Sequence, residues 1–117
     1  MRPLPQPATG DLDLASVFHA LGDHVRLELV RLLAEQGEIT CAPATLDIPK
    51  STLSNHWRIL REAGLTATVV DGRTHRMRLR TADLNDRFPG LLDALLHIVT
   101  DAAAAGPGHA EGVTVRR

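Results

Sequence analysis

The sequence predicts a mainly α-helical fold closed by one small β-hairpin, in the order α-α-α-α-β-β-α. Three observations carry that expectation. Apolar residues recur at helical spacing through most of the 117-residue chain, with glycine stops at Gly22, Gly37 and Gly64. After Gly64 the period changes to that of a strand, with Leu65, Ala67 and Val69 alternating with Thr66 and Thr68. Asp71-Gly72 then supplies a short-range hairpin signal before a second alternating run. The length fits one domain with a single core.

Residues 1–10, which include Pro3, Pro5 and Pro7, read as a flexible arm. Asp11 or Asp13 caps a first helix in which Leu14, Val17, Phe18 and Leu21 share helical spacing. Asp23 caps a second helix over about 24–35. Val25, Leu29, Leu32 and Leu33 form one apolar stripe of it, and Leu27, Val30 and Ala34 another, so this helix is expected at the centre of the fold. Glu28, Arg31 and Glu35 stand at pairing distances on its remaining strip. Thr40 caps a short third helix, with Pro43 in its first turn, and Asp47-Ile48-Pro49 makes a tight turn. A fourth helix runs from about Lys50 to Ala63. Met77 and Leu79 alternate with Arg76, Arg78 and Arg80 in the second strand, so arginines line one of its faces. Ala82–Arg87 reads as one helical turn, and 90–104 as a last helix carrying Leu91, Leu92, Leu95, Ile98 and Val99. The expected domain is 11–104, and 105–117, beyond Gly106-Pro107-Gly108, reads as a disordered tail.

The formal net charge of −1 conceals a partition. Residues 11–47 carry seven carboxylates against Arg26 and Arg31, whereas residues 50–80 carry seven basic groups against Glu62 and Asp71. Residues 81–101 are acidic again, with four carboxylates against Arg87. A local basic block attracts anions even when the total is near zero. A solvated charged surface fits the same residues, so charge alone leaves both readings standing.

Two helices joined by a tight turn and followed by a two-stranded ribbon describe a winged helix-turn-helix. On the fourth helix Leu53, Trp57, Leu60 and Ala63 share one face and must pack inward. Ser51, Asn55 and Arg58 point the opposite way, with Ser54 beside them. Small hydrogen-bonding groups allow a helix to approach base edges in the major groove of double-stranded DNA, and a forked cation can read them. Lys50, Ser51 and Thr52 sit at the helix N-terminus, which favours a phosphate. Arg73, Thr74, His75 and Arg76 at the hairpin tip are placed to meet the flanking groove.

These segments resemble the ArsR family of bacterial winged-helix transcriptional repressors over about residues 12–100. The resemblance lies in Ala20-Leu21-Gly22-Asp23 with Arg26-Leu27, in Ser51-Thr52-Leu53-Ser54-Asn55-His56 with Leu60-Arg61-Glu62-Ala63-Gly64-Leu65, and in Asp71-Gly72-Arg73. It implies a homodimer joined by its first and last helices, here through Leu14, Val17, Phe18, Leu91, Leu92, Leu95 and Val99. It implies binding to an imperfect inverted repeat in a promoter, with 50–63 as recognition helix, and release by an effector. His24 stands where the family usually has Pro, Pro49 where it has a capping Ser, and Trp57 where it commonly has Leu. Trp57 fits the core. His56 matches a frequent family histidine, and both a structural hydrogen bond and a phosphate contact fit its position beside the apolar face.

The sensing chemistry is narrower. A thiolate metal site needs several converging soft ligands, and the chain has only Cys41. Cys41 reads as a small buried hydrophobe, or else as a redox-sensitive thiol. Asp93, His97, His109 and Glu111 superficially resemble a second family metal site. The helix cannot continue past Gly106-Pro107-Gly108, however, so an Asp–His pair on a helix surface plus a loose tail explains them, and no metal or cofactor is expected. Two Phe, one Trp and no Tyr leave little material for a large aromatic pocket, although a small effector of unidentified chemistry still fits.

No Gly-rich phosphate loop, His-Glu-x-x-His or Gly-x-Ser-x-Gly occurs, so the reading is not of an enzyme. No apolar run nears the ~18 residues of a membrane span and no secretory signal opens the chain, which points to the cytoplasm. The competing reading is a winged-helix module for protein–protein contact whose arginines meet an acidic partner.

Overall fold

The structure, a computed structural model, describes residues 1–40 and 46–101. Cys41, the body of the expected third helix and the expected tail at 105–117 lie outside the described residues. The helices are α1 (Leu14–Leu21), α2 (His24–Gln36), α3 (Lys50–Ala63), α4 (Thr81–Arg87) and α5, helical over 91–101. The strands are β1 (Arg2–Pro3), β2 (Thr66–Asp71) and β3 (Thr74–Leu79).

The starts of α1 and α2 follow capping chemistry. Asp13, rather than Asp11, caps α1 by accepting from the Ser16 N–H at 3.0 Å. Asp23 caps α2 by accepting from the Val25 and Arg26 N–H groups at 2.9 and 3.1 Å. Gly64 ends α3 in the left-handed region at φ +88°, where a side chain would also collide with Leu12. Arg31 bridges Glu28 and Glu35, as their spacing predicts.

α2 is central: Leu29 and Val30 are fully buried, and Leu32 and Leu33 nearly so, on neighbouring stripes. Ala34, expected on the second stripe, is exposed. Of that second stripe Val30 is buried and Leu27 partly buried. From α3, Leu53, Trp57, Leu60 and Ala63 enter the same core, together with Val17 and Ala20 of α1. Full burial of each leucine contributes about 1.5–3 kcal/mol, so the inward face of α3 is what seats that helix.

β2 and β3 pair antiparallel from Thr66 opposite Leu79 to Asp71 opposite Thr74, leaving a two-residue turn, Gly72-Arg73, with Gly72 at φ +64°. This register turns Thr66 and Thr68 to the same face as Met77 and Leu79, and both threonines are buried. Their hydroxyls have no hydrogen-bond partner among the described residues. Ala67, on the other face, is buried too, so β2 is enclosed on both sides near its base. Ile39 bridges Met77 and thereby covers the outer edge of β3.

The first residues correct the expectation of a flexible arm. Arg2 and Pro3 pair antiparallel with Val70 and Val69 and make the hairpin a three-stranded sheet of order β1-β2-β3. Leu4 N–H donates to Thr68 O at 2.9 Å. Prolines with no N–H to satisfy are tolerated on such an edge. A 3-10 turn at Thr9–Asp11 then leads to Leu12, which is buried.

Candidate nucleic-acid interface

α3 has a buried side and an exposed side, and the exposed side carries the polar set. Lys50, Ser51, Thr52, Ser54, Asn55 and Arg58 are all exposed, while Leu53, Trp57, Leu60 and Ala63 anchor the opposite face. Pro49 supplies no side-chain cap, so nothing from a capping side chain competes for the first N–H groups of α3. Arg58 donates to the Asn55 Oδ1 and pairs with Glu62 at 3.1 Å. These groups are half exposed, and such pairs are worth at most about 1 kcal/mol. A nucleic acid can therefore displace Glu62 from Arg58.

His56 behaves differently from its neighbours. It is half-buried, and its Nδ1 lies 3.1 Å from Arg26 Nη1 and 3.8 Å from Asp23 Oδ2. Arg26 is 8 % exposed and also donates to the Ala20 carbonyl. Burial pushes the Asp23 carboxyl up, but the Arg26 N–H, the charges of Arg26 and His56, and the Val25 N–H outweigh it and hold the carboxyl below its ordinary value. Asp23, Arg26 and His56 thus tie the start of α2 to the middle of α3. Sequence reading placed Arg26 in a motif but missed this role. Its signal was positional: Arg26 lies on the same stripe as Val30 and Leu33, both buried, where a cation must find partners.

The wing holds Arg73 at its exposed tip, with Thr74 half-buried beside it. Arg76 is tied to Glu38 at 3.1 Å and Asp71 at 3.6 Å. Thr68 and Met77 stand on the side that faces the core, and Arg76 and Arg78 emerge from the opposite face. Arg80 does not continue that face. It is 4 % exposed, pairs with Asp83 and donates to the Pro7 carbonyl. Among the described residues, Lys50, Arg73 and Arg78 have no carboxylate at ion-pair distance.

Of the residues expected at a subunit interface, Leu14 and Phe18 are exposed, and Leu91, Leu95 and Val99 are half-buried. Val17 and Leu92 are instead buried in the core of the single chain. Ile98, 65 % exposed, belongs with the exposed set. His97 pairs with Asp101 at 3.4 Å rather than with Asp93. Among the described residues no three His, Cys, Asp or Glu side chains converge on a metal position; His109 and Glu111 lie outside them. Nor is any described helix long and apolar enough to cross a membrane.

A helix with a polar outer face, seated beside a cation-tipped three-stranded wing, defines a winged helix-turn-helix nucleic-acid binder. Known proteins agree with that class. A helix-turn-helix domain profile matches residues 21–69. The chain is 42 % identical over 84 residues to YceK of Bacillus subtilis, described as an uncharacterized HTH-type transcriptional regulator, covering 69 % of this chain and 84 % of that protein. It is 38 % identical over 61 residues to another protein so described, from Methanocaldococcus jannaschii, covering 50 % of this chain and 67 % of the other. An ArsR-like transcriptional regulator from Rhodococcus sp. RHA1 superposes with a TM-score of 0.52 at 28 % identity, over 79 % of this chain and 88 % of that one. The chain belongs to the ArsR-type winged helix-turn-helix family of DNA-binding transcriptional regulators, which are not enzymes.

Proposed function

We propose that the protein is a cytoplasmic repressor that binds an inverted-repeat promoter operator as a homodimer and leaves it when a small effector binds. The observation that supports this reading best is the outer face of α3. Ser51, Ser54, Asn55 and Arg58 stand exposed in one row over a face locked into the core. In this reading that row enters the major groove, Lys50 and Thr52 meet phosphate at the helix start, and Arg73 and Thr74 meet the flanking backbone. His56 positions α3 through Arg26 instead of touching DNA, and Arg76 contributes less than Arg73 because Glu38 and Asp71 hold it. Leu14, Phe18 and Ile98, exposed on the two terminal helices, supply the dimer contact together with Leu91, Leu95 and Val99.

The test is a gel shift on the DNA upstream of the protein's own gene, with light scattering on the same sample. The expected result is a dimer that prefers this DNA over a mixed-sequence duplex, with affinity falling steeply as salt rises from about 50 to 200 mM. A monomer, or binding that shows neither sequence preference nor salt dependence, would overturn the reading.

A further inference from the structure

The N-terminal strand carries a cation that the reading above leaves unused. β1 runs antiparallel to β2, so the chain approaches the wing tip on going back from Leu4 to Arg2. Arg2 opposes Val70, and Val70 opposes His75 on β3, one register step from the Asp71–Thr74 pair that closes the turn. Directly opposed residues project from one sheet face, and that face recurs every second residue. Arg2, Val70 and His75 therefore share the face of Thr68, Met77, Thr66 and Leu79, the buried side on which the helices pack. Arg2 is exposed, beyond the end of the core but on the core side. Arg76 and Arg78 stand on the opposite side. Among the described residues Arg2 has no carboxylate at ion-pair distance.

The segment behind Arg2 is held at three further points. Arg61 donates to Pro5 O at 3.1 Å, Arg80 to Pro7 O at 2.7 Å, and Thr9 donates its hydroxyl to Asp83 at 2.7 Å. Leu12 then enters the core. Proline at positions 3, 5 and 7 fixes φ and stiffens the segment between these ties. Two arginines of the basic block thus hold backbone carbonyls, and what they hold in place is a third cation at the wing. A side chain on a backbone already ordered loses less entropy on binding than one on a free arm.

We infer that Arg2 is a DNA phosphate contact, delivered near the wing tip by residues 1–12 acting as a strut. The inference rests on the DNA-binding reading of α3 and the wing. It adds a contact on the core side of the wing, where β3 supplies no arginine.

The experiment uses the full chain with Arg2→Ala, Arg2→Lys and, separately, Arg73→Ala. Each is titrated with salt on the protein's own upstream DNA and on a mixed-sequence duplex. Arg2→Ala should weaken binding to both probes by about three- to tenfold and flatten the log–log salt slope by about 1 per protomer. Arg2→Lys should restore most of both, because a phosphate accepts a point charge. The melting temperature of Arg2→Ala should match that of the parent, since the pairing of β1 uses backbone groups. Parental affinity and slope in Arg2→Ala, alongside weakened binding in Arg73→Ala, would overturn this inference and leave the wing reading intact. Loss of melting temperature, or no rescue by lysine, would also overturn it by making Arg2 a structural residue. A parent chain that binds neither probe would remove both readings together.

Discussion

α3 and the wing are built on different principles. α3 derives its position from packing: Trp57 and Leu60 are buried, and the outer face carries small polar groups with one central guanidinium. The wing has no comparable core at its tip and carries exposed cations there instead. Those charges are not equivalent. Of seven basic groups between residues 50 and 80, Arg61 and Arg80 hold the N-terminal segment, and Arg76 is tied to Glu38 and Asp71. A cation count along a sequence therefore overstates what is available to DNA. Arg61 and Arg80 are tied to backbone carbonyls, Arg76 must release two carboxylates, and Arg58 must release one, Glu62.

The comparison can be broken most strongly at the helix. Trp57→Ala should lower unfolding stability by about 3–5 kcal/mol, whereas Arg73→Ala should leave it unchanged. Chemical denaturation of the two variants checks this, and equal stabilities would show that α3 is not seated by its tryptophan. A smaller effect separates the cations by how firmly they are held. Arg58→Ala should cost about 1–3 kcal/mol of operator affinity and relax specificity, and Arg73→Ala should weaken binding to any sequence. Arg76→Ala should do less than either, because its guanidinium must first leave Glu38 and Asp71. A competition assay ranking Arg76→Ala above Arg73→Ala would reverse the assignment. The base of the wing gives a third contrast. Thr66→Val or Thr68→Val removes a buried hydroxyl without a partner and should raise stability by about 1 kcal/mol.

The smallest effect is on pH dependence. Thr9 and then Arg80, both hydrogen-bonded to Asp83, hold its carboxyl below its ordinary value, and Asp23 is held down likewise. A depressed carboxylate stabilises the fold above the unfolded value, about 3.9, and that contribution is lost as pH falls through the folded one. Asp83→Asn should therefore flatten the acid limb of the stability profile. Asp23→Asn should do so too while keeping its cap, since asparagine caps as well as aspartate. Unaltered acid limbs would show that neither carboxylate contributes.

Much of this architecture was legible in the chain. Asp13 and Asp23 announce helix starts because a short side-chain oxygen satisfies the first free N–H groups, and Gly37 and Gly64 announce ends because they adopt positive φ. The faces of α3 follow from a period that one helix imposes on its own residues. Partners far apart in sequence were not legible. Arg26 meets His56 across 30 positions, and Arg80 meets Pro7 across 73. The alternation in β2 was visible, but which side faces the core was not. Thr66, Ala67 and Thr68 are all small and all buried, so polarity did not mark the inward side.

The starts of α1 and α2, the end of α3, the hairpin, the polar row on α3 and the family are all legible in the chain, because each rests on contacts within one element or on a local pattern. The tertiary fold sets which arginines are tied to partners, that Val17 and Leu92 lie in the core, and that Arg2 stands near the wing tip. The physical reason is common to all three. Whether a charge or an apolar side chain is available depends on what the fold brings against it. For Arg2, Arg76 and Arg80 the deciding neighbour comes from a different part of the chain.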